Sequence, residues 1–384
     1  MKKWIILLLV LSGCSVFMPL QRSNLIGVFH LIETGDYTEA KEVVEEMIAN
    51  DESSAQWARI WFARGLLAQT AYQEGVKKND KKLSELYPDQ LFLAYSSYEI
   101  ARRLDQGGRL NRQLTPKYAM LSNDLKTLGE KEYRQGRYKE ALRAFEASLA
   151  IINSSLLEAP KDYDLMYNAA IAAYKAQNTE KAIEYLQTLH NEGYSAHASH
   201  LLASLYLANE QTDEAQQILK EGIKKKENDQ ELVLLMADLL YEQGKIQESI
   251  NILEKEEEQN PANYIFPYTR GLIYQKSGDY ASAVEAYKMA AAIAPDSVLI
   301  YINLATSYHD LGVEIEEKTR LLTSNQQVLE KRRESQEAFD AALQWLDKAY
   351  EKRPDDYVSL LKIYQLYRAV GAHDKARNVQ QQFK

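Results

Sequence analysis

One hexapeptide recurs along this chain and limits what the chain can fold into. Gly-Asp-Tyr-Thr-Glu-Ala at 35–40 returns as Gly-Arg-Tyr-Lys-Glu-Ala at 136–141 and Gly-Asp-Tyr-Ala-Ser-Ala at 278–283. Degenerate copies run Gln-Asn-Thr-Glu-Lys-Ala at 177–182, Glu-Gln-Thr-Asp-Glu-Ala at 210–215, Gly-Lys-Ile-Gln-Glu-Ser at 244–249 and Gly-Ala-His-Asp-Lys-Ala at 371–376. The last residues of four successive copies, Ala182, Ala215, Ser249 and Ala283, are 33, 34 and 34 residues apart. Such a period marks a chain built from one supersecondary unit that buries its apolar face by stacking on its own copies. A β-sandwich or barrel is excluded: it needs turn signals about every 8–12 residues, and 384 residues hold only 16 Gly and 8 Pro. With 46% hydrophobic and 26% charged residues the chain can pack a core but cannot live inside a bilayer.

Within one copy the residues assign themselves. Gly271 sits where two helices cross too closely for a side chain, and Gly278 permits the left-handed backbone that ends the first helix. Ala283 and Ala290, seven apart, keep one face of the second helix small; Tyr274 and Tyr287 fill the space between, and Pro295 stops the helix. Met236, Ala237, Gly244, Leu253 and Pro261 repeat the logic one unit earlier. This pattern resembles the tetratricopeptide repeat, and it implies an all-α, right-handed superhelical solenoid of about nine helical hairpins over 24–384. The register places them at 24–50, 55–105, 116–153, 163–191, 197–227, 231–261, 264–295, 298–354 and 357–384.

Two insertions absorb the excess length. Around 75–88, the run Lys77, Lys78, Asn79, Asp80, Lys81, Lys82 reads as a solvated loop or a fraying helix end. At 313–337, Leu304 and Ala305 fix one helix while Ala342, Ala349 and Pro354 fix its partner 25 residues late. Two lengthened helices joined near Thr323, with a capping box at Ser324-Asn325-Gln326-Gln327, would form a charged spur of roughly 18 Å.

The N-terminus reads as an address. Lys2 and Lys3 precede an apolar run from Trp4 to Leu11, too short to span a membrane, and then Leu11-Ser12-Gly13-Cys14. These residues resemble the lipobox of bacterial lipoproteins. The resemblance implies a signal peptide at 1–13 that is removed, lipidation of Cys14, and a tether over 14–23. Ser15, being non-acidic, resembles the pattern that releases a lipoprotein to the outer membrane. Several acyl chains would anchor firmly, each buried methylene contributing about 0.8 kcal/mol. Cys14 is the single cysteine, so no internal disulfide or thiol metal site is available.

No catalytic residues and no cofactor are expected. A Gly-rich phosphate loop, a Cys pair, a Gly-x-Ser-x-Gly elbow and a His-Glu-x-x-His helix are all missing. His197 and His200, spaced i and i+3 with His190 upstream, lack the further ligand a metal site needs, so no metal is expected. Asp355-Asp356 and Glu256-Glu257-Glu258 read as solvated helix ends. The formal charge of −9, which becomes −11 without Lys2 and Lys3, and the lack of a basic stripe exclude nucleic acid as a partner.

The repeat resemblance implies a concave groove at the second, fifth, ninth, twelfth and thirteenth positions of each unit. Those are Asp164, Tyr167, Ile171, Tyr174 and Lys175; His197, His200, Ser204 and Leu207; Leu234, Asp238, Tyr241 and Glu242; Tyr268, Leu272, Gln275 and Lys276; and Ile302, Thr306 and His309. Of these, Tyr167, Tyr174, His200, Tyr241, Tyr268 and His309 are the expected contacts to another protein or peptide, about half the chain's tyrosines being expected to pack between helices instead. The family's carboxylate clamp is not expected, since Lys126 is followed by Glu130 where the pattern wants Asn. The expected function is a lipid-anchored, periplasm-facing scaffold of the outer membrane that holds other envelope proteins. The alternative is a carbohydrate-binding surface lipoprotein of the helical-repeat type.

Overall fold

The computed structural model describes residues 14–50, 55–225, 229–352 and 355–383. The 1–13 segment read as a signal lies outside the described residues, as does the side chain of Cys14. Among the described residues every regular element is a helix, nineteen in all. The chain divides into two compact units, Met1–Asn191 and Glu192–Lys384.

The first unit holds α1 (Cys14–Thr34), α2 (Tyr37–Asn50), α3 (Ala58–Lys78), the short α4 (Lys81–Ser84), α5 (Gln90–Leu104), α6 (Asn111–Arg134), α7 (Tyr138–Ile152), α8 (Tyr163–Lys175) and α9 (Thr179–Asn191). Helix α1 is continuous through the 14–23 stretch read as a tether. The hairpins are α1–α2, α3–α5, α6–α7 and α8–α9. Phe29, Phe62, Tyr98 and Tyr118, one from each of α1, α3, α5 and α6, run as a chain of rings with centroids 6.3, 5.8 and 5.8 Å apart. Each ring therefore buries area against the next helix, which is how neighbouring hairpins cohere.

The second unit holds α10 (Ala196–Ala208), α11 (Thr212–Lys225), α12 (Gln230–Glu242), α13 (Ile246–Gln259), α14 (Ile265–Lys276), α15 (Tyr280–Ile293), α16 (Val298–Thr319), α17 (Asn325–Glu351), α18 (Tyr357–Ala369) and α19 (His373–Gln380), paired in that order. With the four hairpins of the first unit this makes nine.

The recurring hexapeptide is the turn of each hairpin. Its first residue is left-handed in all seven copies: Gly35, Gly136, Gly244, Gly278 and Gly371 have φ between +73° and +90°, and Gln177 and Glu210 follow at +60° and +61°. The next N–H then reaches back to the carbonyl five residues before it, as from Asp36 to Leu31 (2.8 Å), Lys245 to Leu240 (2.9 Å) and Asp279 to Tyr274 (3.0 Å). This closure satisfies carbonyls that a helix end leaves open. First helices start as regularly. Asp162 accepts from the Leu165 N–H in the first unit; Ser195, Asp229, Asn263 and Ser297 do the same for α10, α12, α14 and α16 in the second.

A glycine facing an aromatic ring sets the helix spacing. An added Cβ would lie 2.7 Å from the ring of Tyr287 at Gly271 and 2.5 Å from that of Phe145 at Gly129. Both pairs are sixteen residues apart. Gly65 meets Tyr98 at 2.6 Å across the longer α3–α5 connection, so the first insertion leaves this crossing untouched. Where the ring is tyrosine, a glutamine four residues beyond the glycine accepts its hydroxyl: Tyr98 to Gln69 and Tyr287 to Gln275, each at 2.9 Å.

Both insertions are helical. The first was expected to be a solvated loop, yet α3 runs to Lys78 and closes through left-handed Asn79, with the Asp80 N–H 2.8 Å from the Gly75 carbonyl. Asp80 caps α4, and the amide of Gln90 bonds the Ala68 and Leu83 carbonyls and the Tyr87 N–H. The lysines point to solvent while Gly75 and Gln90 pack the connection onto α3, a constraint the charge run conceals. The second insertion is the expected pair of lengthened helices, joined at 320–324. Its root is packed: Gly312 faces Phe339 at 2.8 Å and Ser335 donates to the Gly312 carbonyl at 2.9 Å. Gly312 lies seven residues beyond Ala305, so the spur repeats the glycine–aromatic crossing one heptad along. Ser324 does begin α17, but its side chain makes no capping bond, contrary to the expected box; in so exposed a turn water serves the first N–H groups.

Candidate protein-binding groove

In the first unit, α8 carries the groove positions. Tyr174 is exposed with the Lys175 ammonium 5.7 Å from its ring centroid, and Tyr167 and Ile171 are half-buried. Lys126 does not present a free ammonium, lying 3.6 Å from the Asp162 carboxylate that caps α8.

In the second unit, α10, α12, α14 and α16 present their positions in turn, and the structure divides them. Tyr241 is half-buried on α12 with the Lys276 ammonium of α14 5.4 Å from its ring centroid. Asp238 and Glu242 flank it, both exposed. Burial raises the Asp238 carboxyl above its ordinary range, Lys276 opposes the shift and Glu242 adds to it. Leu234 and Leu272 are half-buried beside them. This strip offers an aromatic face, a cation, two carboxylates and two apolar side chains across adjacent hairpins.

Other expected groove residues turn inward. Tyr268 packs on Tyr287 with centroids 5.7 Å apart and accepts a 3.0 Å hydrogen bond from Asn303, so it joins α14 to α16; burial raises its phenol. Gln275 is occupied by the Tyr287 hydroxyl, and Ile302 is buried. His309 packs on Phe339 at 5.7 Å and bonds Asp310 at 2.9 Å, which commits it to the root of the spur. In each case a partner across the helix interface captures a side chain that its register places at the groove.

The histidine pair stays apart from ligand chemistry. His197 and His200 stack in near-parallel planes with centroids 6.3 Å apart, and His197 Nδ1 lies 3.2 Å from a carboxylate oxygen of Glu231 on α12. Stacked rings do not aim two nitrogens at one point, and among the described residues no three His, Cys, Asp or Glu side chains gather as a ligand set. His190 is buried in α9 of the first unit. The acidic run at 256–258 is less solvated than expected: Glu256 is buried, and Glu257 takes two bonds from Arg270, at 2.9 and 2.8 Å, while Glu254 takes a third. Burial holds the Glu257 carboxyl above its usual range despite that guanidinium. Arg270 comes from the following hairpin, so charge counting along one helix misses it. Asp356 does sit at a helix start, where the Ser359 N–H lowers its pKa.

Tetratricopeptide family models match residues 132–205 and 271–312, and the model described as anaphase-promoting complex, cyclosome, subunit 3 matches 175–256. The hairpins so matched are tetratricopeptide repeats. These matches together cover less than half of the chain. Among solved structures, a tetratricopeptide repeat protein from Parabacteroides merdae is 20% identical, over 78% of this chain and 98% of its own, with a TM-score of 0.36. A TPR repeats protein from Bacteroides fragilis is 20% identical over 65% and 98%, with a TM-score of 0.35. YrrB, described as a TPR protein with an unusual peptide-binding site, is 16% identical over 52% and 90%, with a TM-score of 0.34. No curated protein matches the chain.

Proposed function

We propose that this protein is a lipid-anchored scaffold of the bacterial outer membrane, facing the periplasm and gripping segments of other envelope proteins during the assembly of envelope complexes. The observation that carries the binding role is the strip of Leu234, Asp238, Tyr241, Leu272 and Lys276. It remains accessible after Tyr268, Gln275 and His309 have been drawn into the packing. Tyrosine gives large contact area and a hydrogen bond at low entropy cost, and a carboxylate and an ammonium on either side let a polypeptide be read by charge. The anchor rests on the lipobox ending at Cys14; among the described residues no helix is long and apolar enough to cross a membrane. Packed helices in both insertions lend no support to a glycan platform.

Crosslinking in native membranes followed by purification should recover stoichiometric protein partners, and Tyr241→Ala should weaken that capture while leaving helicity intact. Unchanged capture would move the binding surface off the strip. Cys14→Ser should release the protein from the membrane fraction; full retention in high salt would remove the lipid anchor.

A further inference from the structure

At one edge of the first unit, α1, the start of α3 and the α5–α6 loop enclose an open cleft of about 700 Å³. Leu25, Ile26, Phe29, Trp57 and Leu110 form its apolar walls, and Ile26 is 70% exposed. Arg59 and Arg109 stand at its mouth. The same loop is rich in arginine: Arg103, Arg109 and Arg112 lie within ten residues, all exposed. None of them, nor Arg59, makes an ion pair among the described residues, whereas Arg102 is held by Glu99. The acidic residue in the cleft, Asp105, accepts the Leu110 N–H at 2.6 Å and closes the loop. Exposed guanidiniums without counter-ions around an apolar cleft are unusual in a chain of net charge −9.

We infer that this edge is a second membrane contact, which receives the anionic phospholipid headgroups of the bilayer while Ile26 and the aromatic walls meet the interface. Two observations choose the bilayer over other anions. The first repeat begins near residue 24, so about ten residues of α1, some 15 Å of helix, lead from Cys14 to the cleft. The intervening Val16, Phe17, Met18 and Leu20 continue the apolar character of Leu25 and Ile26. The inference rests on Cys14 being the anchored residue only for its placement of the bilayer. A surface held there would keep the repeats against the membrane instead of swinging on the anchor, and one lipid-borne signal is strengthened by a cationic patch beside it.

The test uses the chain from residue 14 onward, which contains every described residue, carrying Cys14→Ser. Sedimentation with phosphatidylcholine vesicles containing phosphatidylglycerol should show binding that weakens as salt rises, with little binding to phosphatidylcholine alone. Because each arginine near a charged surface is worth about fivefold, Arg59→Gln, Arg109→Gln and Arg112→Gln together should weaken it on the order of a hundredfold. Ile26→Ser, at an exposed position that cannot threaten folding, should weaken it further. Equal binding to both vesicles, no binding to either, or undiminished binding by the triple variant would overturn the inference. So would displacement by an acidic polypeptide at concentrations where phosphatidylglycerol vesicles do not compete. Membrane fractionation of the native protein with and without Cys14→Ser reads the anchor separately, so the two ideas fail independently.

Discussion

In the first unit Tyr98 is fully buried between Gly65 and Gln69. Gln69, only 1% exposed, also donates to the Asp124 carboxylate at 3.1 Å and the Lys117 carbonyl at 3.3 Å. In the second unit Tyr287 holds the same place against Gly271 and Gln275, but Gln275 keeps part of its amide in solvent. The same three residues at the same spacing therefore work in different dielectric surroundings. One glutamine is a node in a buried network that spans two hairpins; the other completes a single hydrogen bond beside the groove. A repeat fixes where side chains meet, and the neighbouring hairpin decides what that meeting is worth.

The glycine half of this lock should be equivalent in both units and should show the largest effects. A Cβ at Gly65 or Gly271 would stand 2.6 or 2.7 Å from a buried tyrosine ring that cannot retreat. Gly65→Ala and Gly271→Ala should each cost about 1–3 kcal/mol, measured by urea unfolding. Gly222→Ala is the control, since its Cβ would meet the movable end of Leu232 at 3.0 Å and should cost far less. Similar losses at all three sites would show that spacing is not set by the rings.

The hydroxyl half should separate the units. Tyr98→Phe strands a buried glutamine oxygen and should cost about 1–3 kcal/mol, whereas Tyr287→Phe leaves one that water can reach and should cost under about 1 kcal/mol. Hydrogen exchange at the flanking amides reads each site locally, as a repeat protein requires. Equal costs would mean that the two surroundings are energetically alike.

Asp124 sharpens the contrast through pH. Burial raises its carboxyl above the model-peptide value while the amides of Gln69 and Gln73 act against the shift. A raised folded-state pKa means the folded chain binds more protons than the unfolded one, so stability falls as pH climbs from the unfolded value through the folded one. Asp124→Asn should remove that slope. It should stabilise the first unit at neutral pH and leave it unchanged in acid, below the unfolded carboxyl's pKa; a gain that persists undiminished in acid would refute the assignment.

The hairpins were legible in the sequence because their determinants are local. Gly278, Ala283 and Ala290 act on their own turn and their own helix face, so a 34-residue period displays them directly. The groove was legible only in part. Whether Tyr268, Gln275 or His309 faces solvent depends on Asn303, Tyr287 and Phe339, which lie 35, 12 and 30 residues away. Register states which way a residue starts out, and the partner that captures it is invisible to register. The caps from Asp162 to Ser297 could have been found, since their spacing of 33 or 34 residues repeats that of the turns.

The smallest expected effect concerns the two copies that lost their turn glycine. Gln177 in the first unit and Glu210 in the second still adopt left-handed backbone, and both still form the helix-ending closure, from Asn178 to Ala173 at 2.9 Å and from Gln211 to Tyr206 at 2.8 Å. A side chain there strains against its own carbonyl, while glycine would lose more freedom on folding. Gln177→Gly and Glu210→Gly should therefore each gain about 0.5–1 kcal/mol net. Thermal midpoints should rise by about 1–3 °C. Because the strain lies within the turn, the two gains should match, unlike the two tyrosine losses. A gain at one site alone would place the strain in its packing surroundings, and the turn would then have to join the tyrosine hydroxyl among the features that each unit tunes for itself.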